Sequence, residues 1–215
     1  LIKRPDPFVI KSTDDAMKGN RTSYDRIRSI SDPFLSVLIL IVLSPLILLV
    51  SIIVKISGRG PVIYTQDRIG INGKPFLIYK FRSLKYNSET GSPLLSGNGG
   101  NRVTKTGRFL RRYRIDEIPN FINVIKGDMT IVGPRPERQF FIDEILKTKP
   151  EYIDLQKIKP GITSWGQIKF GYASNVQEMI ERSKYDLYYL KHRSVWFDLK
   201  ILIYTIIVII KGKGV

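Results

Sequence analysis

The chain has 215 residues, 43% of them hydrophobic, with no cysteine, one histidine (His192) and a formal net charge of +16. The missing cysteines exclude disulfides, cysteine-ligated zinc and iron–sulfur clusters, and a lone histidine excludes a histidine metal cluster and leaves little scope for a serine–histidine triad. The length suits one domain with a real core, and the charge points to anionic partners: nucleic acid, phospholipid head groups or phosphate-bearing small molecules.

Residues 1–25 read as a linker, mixing Pro, Asp, Lys, Asn and Ser with little periodicity and no signal-peptide organisation. From Pro33 to Val54 the chain carries no charge over 22 residues. At about 1.5 Å per residue such a helix would just cross a hydrocarbon layer of roughly 30 Å. Ser44-Pro45 interrupts it, and an interior proline removes a helical hydrogen bond and bends the axis. Basic residues flank both ends, Arg26 and Arg28 before, Lys55 and Arg59 after. Basic flanks favour the cytoplasmic face, and a segment crossing once cannot keep both there. Three readings stand for 26–57: a single span, a broken helix that dips into one leaflet and returns, and a buried helix of a soluble domain.

The stretch GRGPVIYTQDRIGINGKPFLIYKFRS (58–83) reads as two short strands joined by a tight turn at Asn72-Gly73. Tyr86–Asn101, rich in Gly, Ser and Asn, reads as a loop, either a functional lid or a surface excursion. Helices are expected over 105–113, 116–126 (stopped by Gly127), 137–149 (closed by Pro150) and 175–192, where Asn175 and Glu178 have capping-box spacing. The last, 195–210, holds the ten-residue run ILIYTIIVII, too short to span a bilayer. Trp196 before it and lysines after it fit an interfacial helix, with a core helix as the alternative.

Between Lys55 and Arg138 there are 16 Lys/Arg against 6 Asp/Glu, so this segment carries +10 of the net charge. Glycines and turns concentrate there too, as on a phosphate-binding surface. Nucleic acid is disfavoured, because no helix-turn-helix, zinc-finger or ribonucleoprotein signature is present. Within RRYRIDEIPNFINVIKGDMTIVGPRPE (111–137), Arg111, Arg112, Arg114 and Arg135 surround the adjacent carboxylates Asp116 and Glu117. Neighbours on a helix point about 100° apart, unlike the flanking pair of a glycosidase, and suit separate jobs. One would attack phosphorus while the other holds a divalent ion. A capped, salt-bridged helix start explains the same residues. The two prolines around Arg135 pin its backbone, with a structural turn as the plain alternative. Lys80 and Arg82 alternate with Tyr79 and Phe81, which puts both cations on one strand face, either toward a ligand or toward water.

Taken in order, several motifs resemble the monotopic phosphoglycosyl transferases, the bacterial sugar transferase family. They are the apolar segment broken at Ser44-Pro45, the 58–83 stretch, LRRYRIDEIPNFINVIKGDMTIVGPRPE, KPGITSWGQI (159–168), YDLYYL (185–190) and the apolar terminal helix. The resemblance covers roughly Arg26 to Val215. It implies an α+β, mostly helical fold with a small sheet, monotopic in the membrane: a re-entrant broken helix (26–57), a cytoplasmic catalytic domain (58–192) and an interfacial helix (193–215). It implies transfer of a sugar 1-phosphate from a UDP-sugar to a polyprenyl phosphate, with UMP released, at the cytoplasmic face of a bacterial inner membrane, to initiate exopolysaccharide, capsule or O-antigen type assembly.

By the same resemblance Asp116 is the nucleophile and Glu117 its metal-associated neighbour, with Mg²⁺ as cofactor. Lys80 and Arg111 match active-site cations, Arg135 the Pro-Arg-Pro arginine, and Arg82 and Arg112 are further candidates for substrate phosphate. Membrane phospholipids are expected partners, nucleic acid is not, and a homo-oligomer is left open. Ser164 and Gly166, and Gln139-Phe140-Phe141 after the PER triplet, depart from the pattern of many relatives. The beginning at Leu1 and the last two motifs lead us to expect the C-terminal module of a longer enzyme. Hydrolysis of the nucleotide sugar and a non-catalytic basic membrane adaptor are the competing readings.

Overall fold

A computed structural model describes residues 23–86, 88, 102–212 and 214. Helix α1 (Ser23–Val42) and helix α2 (Ser44–Ile56) meet at Leu43 with a bend of 66°. Pro45 has no N–H for the carbonyl of Ile41, and the hydroxyl of Ser44 donates to that carbonyl instead, at 2.7 Å. Proline then occupies the first turn of α2, where its missing donor costs nothing. The expected break at Ser44-Pro45 is therefore present. Among the described residues no single helix is long and apolar enough to cross a membrane; only the bent pair together reaches that composition.

The linker ends earlier than expected, since residues 23–25 form the first turn of α1 and residues 1–22 lie outside the described residues. The reason is a polar tie invisible to periodicity. Tyr24 and Tyr189 each donate to Asp198, at 2.6 and 2.7 Å. Arg28 donates to both hydroxyls, to Thr130 and to the carbonyl of Val132, while Asp32 accepts from Thr130 and from the N–H of Ile131. These bonds seat the buried side of α1 on the strand that leads into the site.

Strands β1 (Ile63–Ile69) and β2 (Pro75–Phe81) form the expected antiparallel hairpin, in register from Ile63↔Phe81 to Ile69↔Pro75. Asn72 and Gly73 take the left-handed conformation that closes it, with φ of 55° and 69°. Of the 86–101 loop only Tyr86 and Ser88 are described; the rest lies outside the described residues. Helix α3 (Lys105–Arg112) starts at Thr104, whose hydroxyl accepts from the N–H of Gly107.

The helix expected from Asp116 begins four residues later, as α4 (Asn120–Lys126), and Gly127 ends it at φ 86°. Pro119 is the cause: it has no N–H to donate to Ile115, so an α-helical ladder cannot pass. The carbonyls of Arg114 and Ile115 instead accept from Glu117 and Ile118, closing a 3₁₀ turn over Ile115–Glu117.

A second sheet was not foreseen. Strand β3 (Thr130–Val132) pairs in parallel with β4 (Gly161–Thr163). The two backbone segments touch at Gly133 and Gly161, where a Cβ on Gly161 would lie 2.1 Å from the nitrogen of Gly133. Helix α5 (Gln139–Thr148) and a 3₁₀ stretch over Pro150–Lys157 precede β4, and helix α6 (Trp165–Lys169) follows it. Helix α7 (Val176–His192) is capped as expected, Asn175 accepting from the N–H of Glu178 and Glu178 from that of Ser174. Helix α8 (Val195–Ile210) closes the fold. The architecture is α+β and mostly helical.

Three apolar clusters hold it together. One joins Ile69 to Phe141, Ile145, Leu155, Ala173 and Met179. The central one joins Ile78, Val124, Met129, Trp165, Tyr189 and Ile201. The third packs Val50 and Val54 of α2 against Phe81, Leu110 and Ile118. The site opens between the first cluster and the third.

Candidate active site

The 3₁₀ turn is entered through Arg114, a non-glycine residue in the left-handed region at φ 54°. That conformation costs on the order of 1 kcal/mol and recurs where a site dictates the backbone. Here it turns Asp116 and Glu117 inward, to 6% and 3% exposure. In a 3₁₀ turn neighbours diverge by about 120°, so the two carboxyl groups meet different surroundings.

Glu117 is held by cations. Its Oε1 accepts from Lys80 Nζ at 2.6 Å and from Arg135 Nη1 at 3.4 Å, and Arg114 lies 3.8 Å from Oε2. Burial alone would raise its pKa; Lys80, Arg135 and Arg114 overcome that and hold the carboxyl well below the usual range. Asp116 behaves oppositely. Burial first, then the Glu117 charge, push it up to about 6 against the pull of Lys80, Arg111 and Arg135. Lys80 is itself lowered, because burial outweighs the attraction of Glu117.

Both carboxylates line a cavity of about 290 Å³. Its walls carry nine lysines and arginines against three acidic residues, so net charge is strongly positive. The third acid is Glu137. It accepts from Arg182 at 2.6 Å and Arg68 at 3.3 Å, and pairs with Arg135 at 3.8 Å. Tyr172 lies under two guanidinium groups, 5.3 Å from Arg135 and 5.7 Å from Arg114.

The expected site residues divide. Lys80, Arg111, Asp116, Glu117 and Arg135 converge on the cavity. Arg82 reaches its wall, but its guanidinium donates to the carbonyls of Val54, Gly58 and Pro61, at 2.5, 2.8 and 3.0 Å. It secures the end of α2. Arg112 is not brought there: its Nε donates to the carbonyl of Gly212. Glu137, Arg68, Arg182 and Tyr172 were not singled out from sequence. Glu137 sits in the quoted PRPE run, but its partners lie 45 and 69 residues away, so no local spacing exposes them.

Among the described residues no group of three or more His, Cys, Asp or Glu is placed to hold a metal. A magnesium ion needs fewer, since one or two carboxylates with substrate phosphates suffice. The residues fit that demand. Glu117 Oε2 is buried without a hydrogen-bond partner, beside Asp116 on the same cavity.

Cations in this excess around two carboxylates of opposite tuning make a polyanion site, set in an α+β fold beside an exposed apolar helix pair. The chain belongs to the bacterial sugar transferase family, whose sequence model matches residues 23–212. It is 40% identical over 171 residues to the UDP-N-acetylgalactosamine-undecaprenyl-phosphate N-acetylgalactosaminephosphotransferase of Aeromonas hydrophila, a match covering 80% of this chain and 40% of that protein. It is 41% identical over 177 residues to a UDP-glucose:undecaprenyl-phosphate glucose-1-phosphate transferase of Escherichia coli, covering 81% of this chain and 38% of the relative. With a transferase of the same description from Caulobacter vibrioides, identity is 34% over 188 residues, covering 86% and 70%. The chain thus spans about two-fifths of the first two relatives.

Proposed function

We propose that this chain transfers a sugar 1-phosphate from a UDP-sugar to a polyprenyl phosphate. The observation that carries the reading is the divergent tuning of two adjacent carboxyl groups in a cationic cavity, with Glu117 locked as an anion and Asp116 raised to about 6. At pH 7.5 Asp116 is ionised, yet more basic than an ordinary carboxylate, as a nucleophile should be.

An Asp116 oxygen attacks the sugar-linked phosphorus. The bond from that phosphorus to the bridging oxygen breaks, and UMP leaves with the electron pair. A polyprenyl phosphate oxygen then attacks the same phosphorus, the bond to Asp116 breaks, and the carboxylate is regenerated. Lys80, Arg111 and Arg135 hold the pyrophosphate and offset the charge that builds on its oxygens. Asp116 and Glu117 would hold Mg²⁺ together with the substrate phosphates, and the ion would supply further charge neutralisation.

The acceptor is a membrane lipid, and the exposed surface supports a monotopic seat in a bacterial inner membrane. Leu48, Leu49, Ile52 and Ile56 on α2, Phe34 and Ile41 on α1, and Trp196, Ile203 and Ile210 on α8 all face outward. The bent pair re-enters the cytoplasmic leaflet, α8 lies in the head-group layer, and phospholipids contact both.

The test is incubation with a panel of UDP-sugars, undecaprenyl phosphate and Mg²⁺, scoring UMP and lipid-linked product. Transfer with one sugar, lost in Asp116→Asn with membrane association retained, is the expected result. Acceptor-independent UMP release with free sugar phosphate would point to hydrolysis, and normal transfer by the variant would remove Asp116 from the chemistry.

A further inference from the structure

Three contacts fix the backbone of the Pro134-Arg135-Pro136 turn, which presents Arg135 to Glu117. The carbonyl of Pro134 accepts from the N–H of Gly161 at 2.9 Å, and the carbonyl of Pro136 accepts from Arg68 at 3.1 Å. Proline has no N–H, so Arg135 supplies the one backbone donor of the three residues. That N–H is bonded to the carboxylate of Asp186, on α7.

Asp186 is buried and does not line the cavity. It also accepts from the N–H of Gly166 at 2.8 Å and from the hydroxyl of Ser164, where β4 turns into α6. Gly166 permits this approach, since a Cβ there would lie 2.8 Å from Asp186 Oδ2 and 2.9 Å from Arg182. Burial pushes the Asp186 carboxyl up to about 6 against these bonds and the Arg182 charge, so at pH 7.5 it is an anion supplied with three donors. One helical turn earlier on α7, Arg182 donates to Glu137 Oε1 at 2.6 Å, and that oxygen lies 3.8 Å from Arg135 Nε. Helix α7 thus holds Arg135 at both ends, the main chain through Asp186 and the guanidinium through Glu137.

We infer that Asp186 is a positioning residue for Arg135: it ties the main chain of the Pro-Arg-Pro turn to α7 and to the β4–α6 turn, and so sets where the guanidinium meets a phosphate. The inference rests on the proposed role of Arg135 in holding pyrophosphate. It gives a task to two motifs that lie outside the cavity, KPGITSWGQI through Ser164 and Gly166, and YDLYYL through Asp186. The lever is large, because a misplacement of about 1 Å at a group that orients the reacting atoms costs up to about a hundredfold in rate.

The experiment is a double-mutant cycle on the chain in lipid nanodiscs with Mg²⁺, reading the affinity for inorganic pyrophosphate by calorimetry and, separately, the transfer rate. Asp186→Asn keeps the size and one acceptor oxygen but sets an amide where a charged oxygen stood. It is expected to weaken pyrophosphate about tenfold in the parent chain and less than about twofold in an Arg135→Ala background. Ser164→Ala removes one of the three donors, with about a threefold loss in the parent and none in Arg135→Ala; it decides the question if Asp186→Asn does not fold. Equal losses in both backgrounds overturn the inference, because they show Asp186 supporting the fold at large. Parent-like affinity in whichever of the two variants folds overturns it too, as does an Arg135→Ala chain that binds pyrophosphate normally. Coupling between Asp186 and Arg135 in a chain that transfers from no UDP-sugar supports the positioning role and overturns the proposed reaction alone.

Discussion

Replacing Asp116 by asparagine should make the protein more stable while abolishing transfer. The raised pKa means that the folded state resists ionising this group. Between the ordinary value of 3.8 and about 6 the folded protein keeps a proton that the unfolded chain releases. The sign follows: the protonated form's contribution is fully present below 3.8 and is lost as pH rises through 6. Two pKa units at 1.36 kcal/mol each make ionised Asp116 a folding penalty on the order of 3 kcal/mol at pH 7.5, shrinking to about 1 kcal/mol at pH 4.5. Asparagine fills the same space without the charge, so Asp116→Asn should gain most of that difference. The assay is thermal or urea unfolding of detergent-solubilised protein in EDTA, for both proteins at both pH values. A variant no more stable than the parent at pH 7.5, or a gain that does not shrink at pH 4.5, would refute the tuning argument and with it the split roles of the two carboxylates.

Transfer measured as kcat/KM should rise with pH along a single ionisation, with its midpoint at about 6, as Asp116 loses its proton; a profile flat between pH 5 and 8 would contradict this. Glu137→Gln leaves Arg68, Arg135 and Arg182 without their shared carboxylate. It should destabilise by about 3 kcal/mol and slow transfer at least tenfold, read from urea midpoints and initial rates. Gly161→Ala puts a methyl group against the backbone of Gly133, 2.1 Å from its nitrogen. A loss of about 2–4 kcal/mol in the same unfolding assay is expected, with β3 and β4 forced apart.

The sequence was most readable where one local rule governs. Ser44-Pro45 announces its own break, Asn72-Gly73 its turn and Asn175 its cap, because proline geometry, positive φ and capping act within a few residues. It was least readable where chain-distant groups decide. Pro119 bars the α-helical bond to Ile115, so the carboxylate pair sits on a 3₁₀ turn and not on the expected helix. Strands of three residues, such as β3 and β4, are too short to show alternation. The cavity's composition depends on which arginines fold inward: Arg82 and Arg112, both candidates for substrate phosphate, have guanidinium groups that donate to the carbonyls of Val54 and Gly212. Asp32 is the clearest case: its value lies in Thr130 and Ile131, 98 and 99 residues away.

Arg82 has a mechanical consequence. It follows β2 directly, two residues beyond Lys80, and its guanidinium grips three carbonyls at the end of α2 and the turn after it. Helix and strand are therefore geared together, with the Lys80–Glu117 contact on the driven side. Any displacement of α2 is thus passed through Arg82 to β2, and through Lys80 to the Glu117 carboxylate.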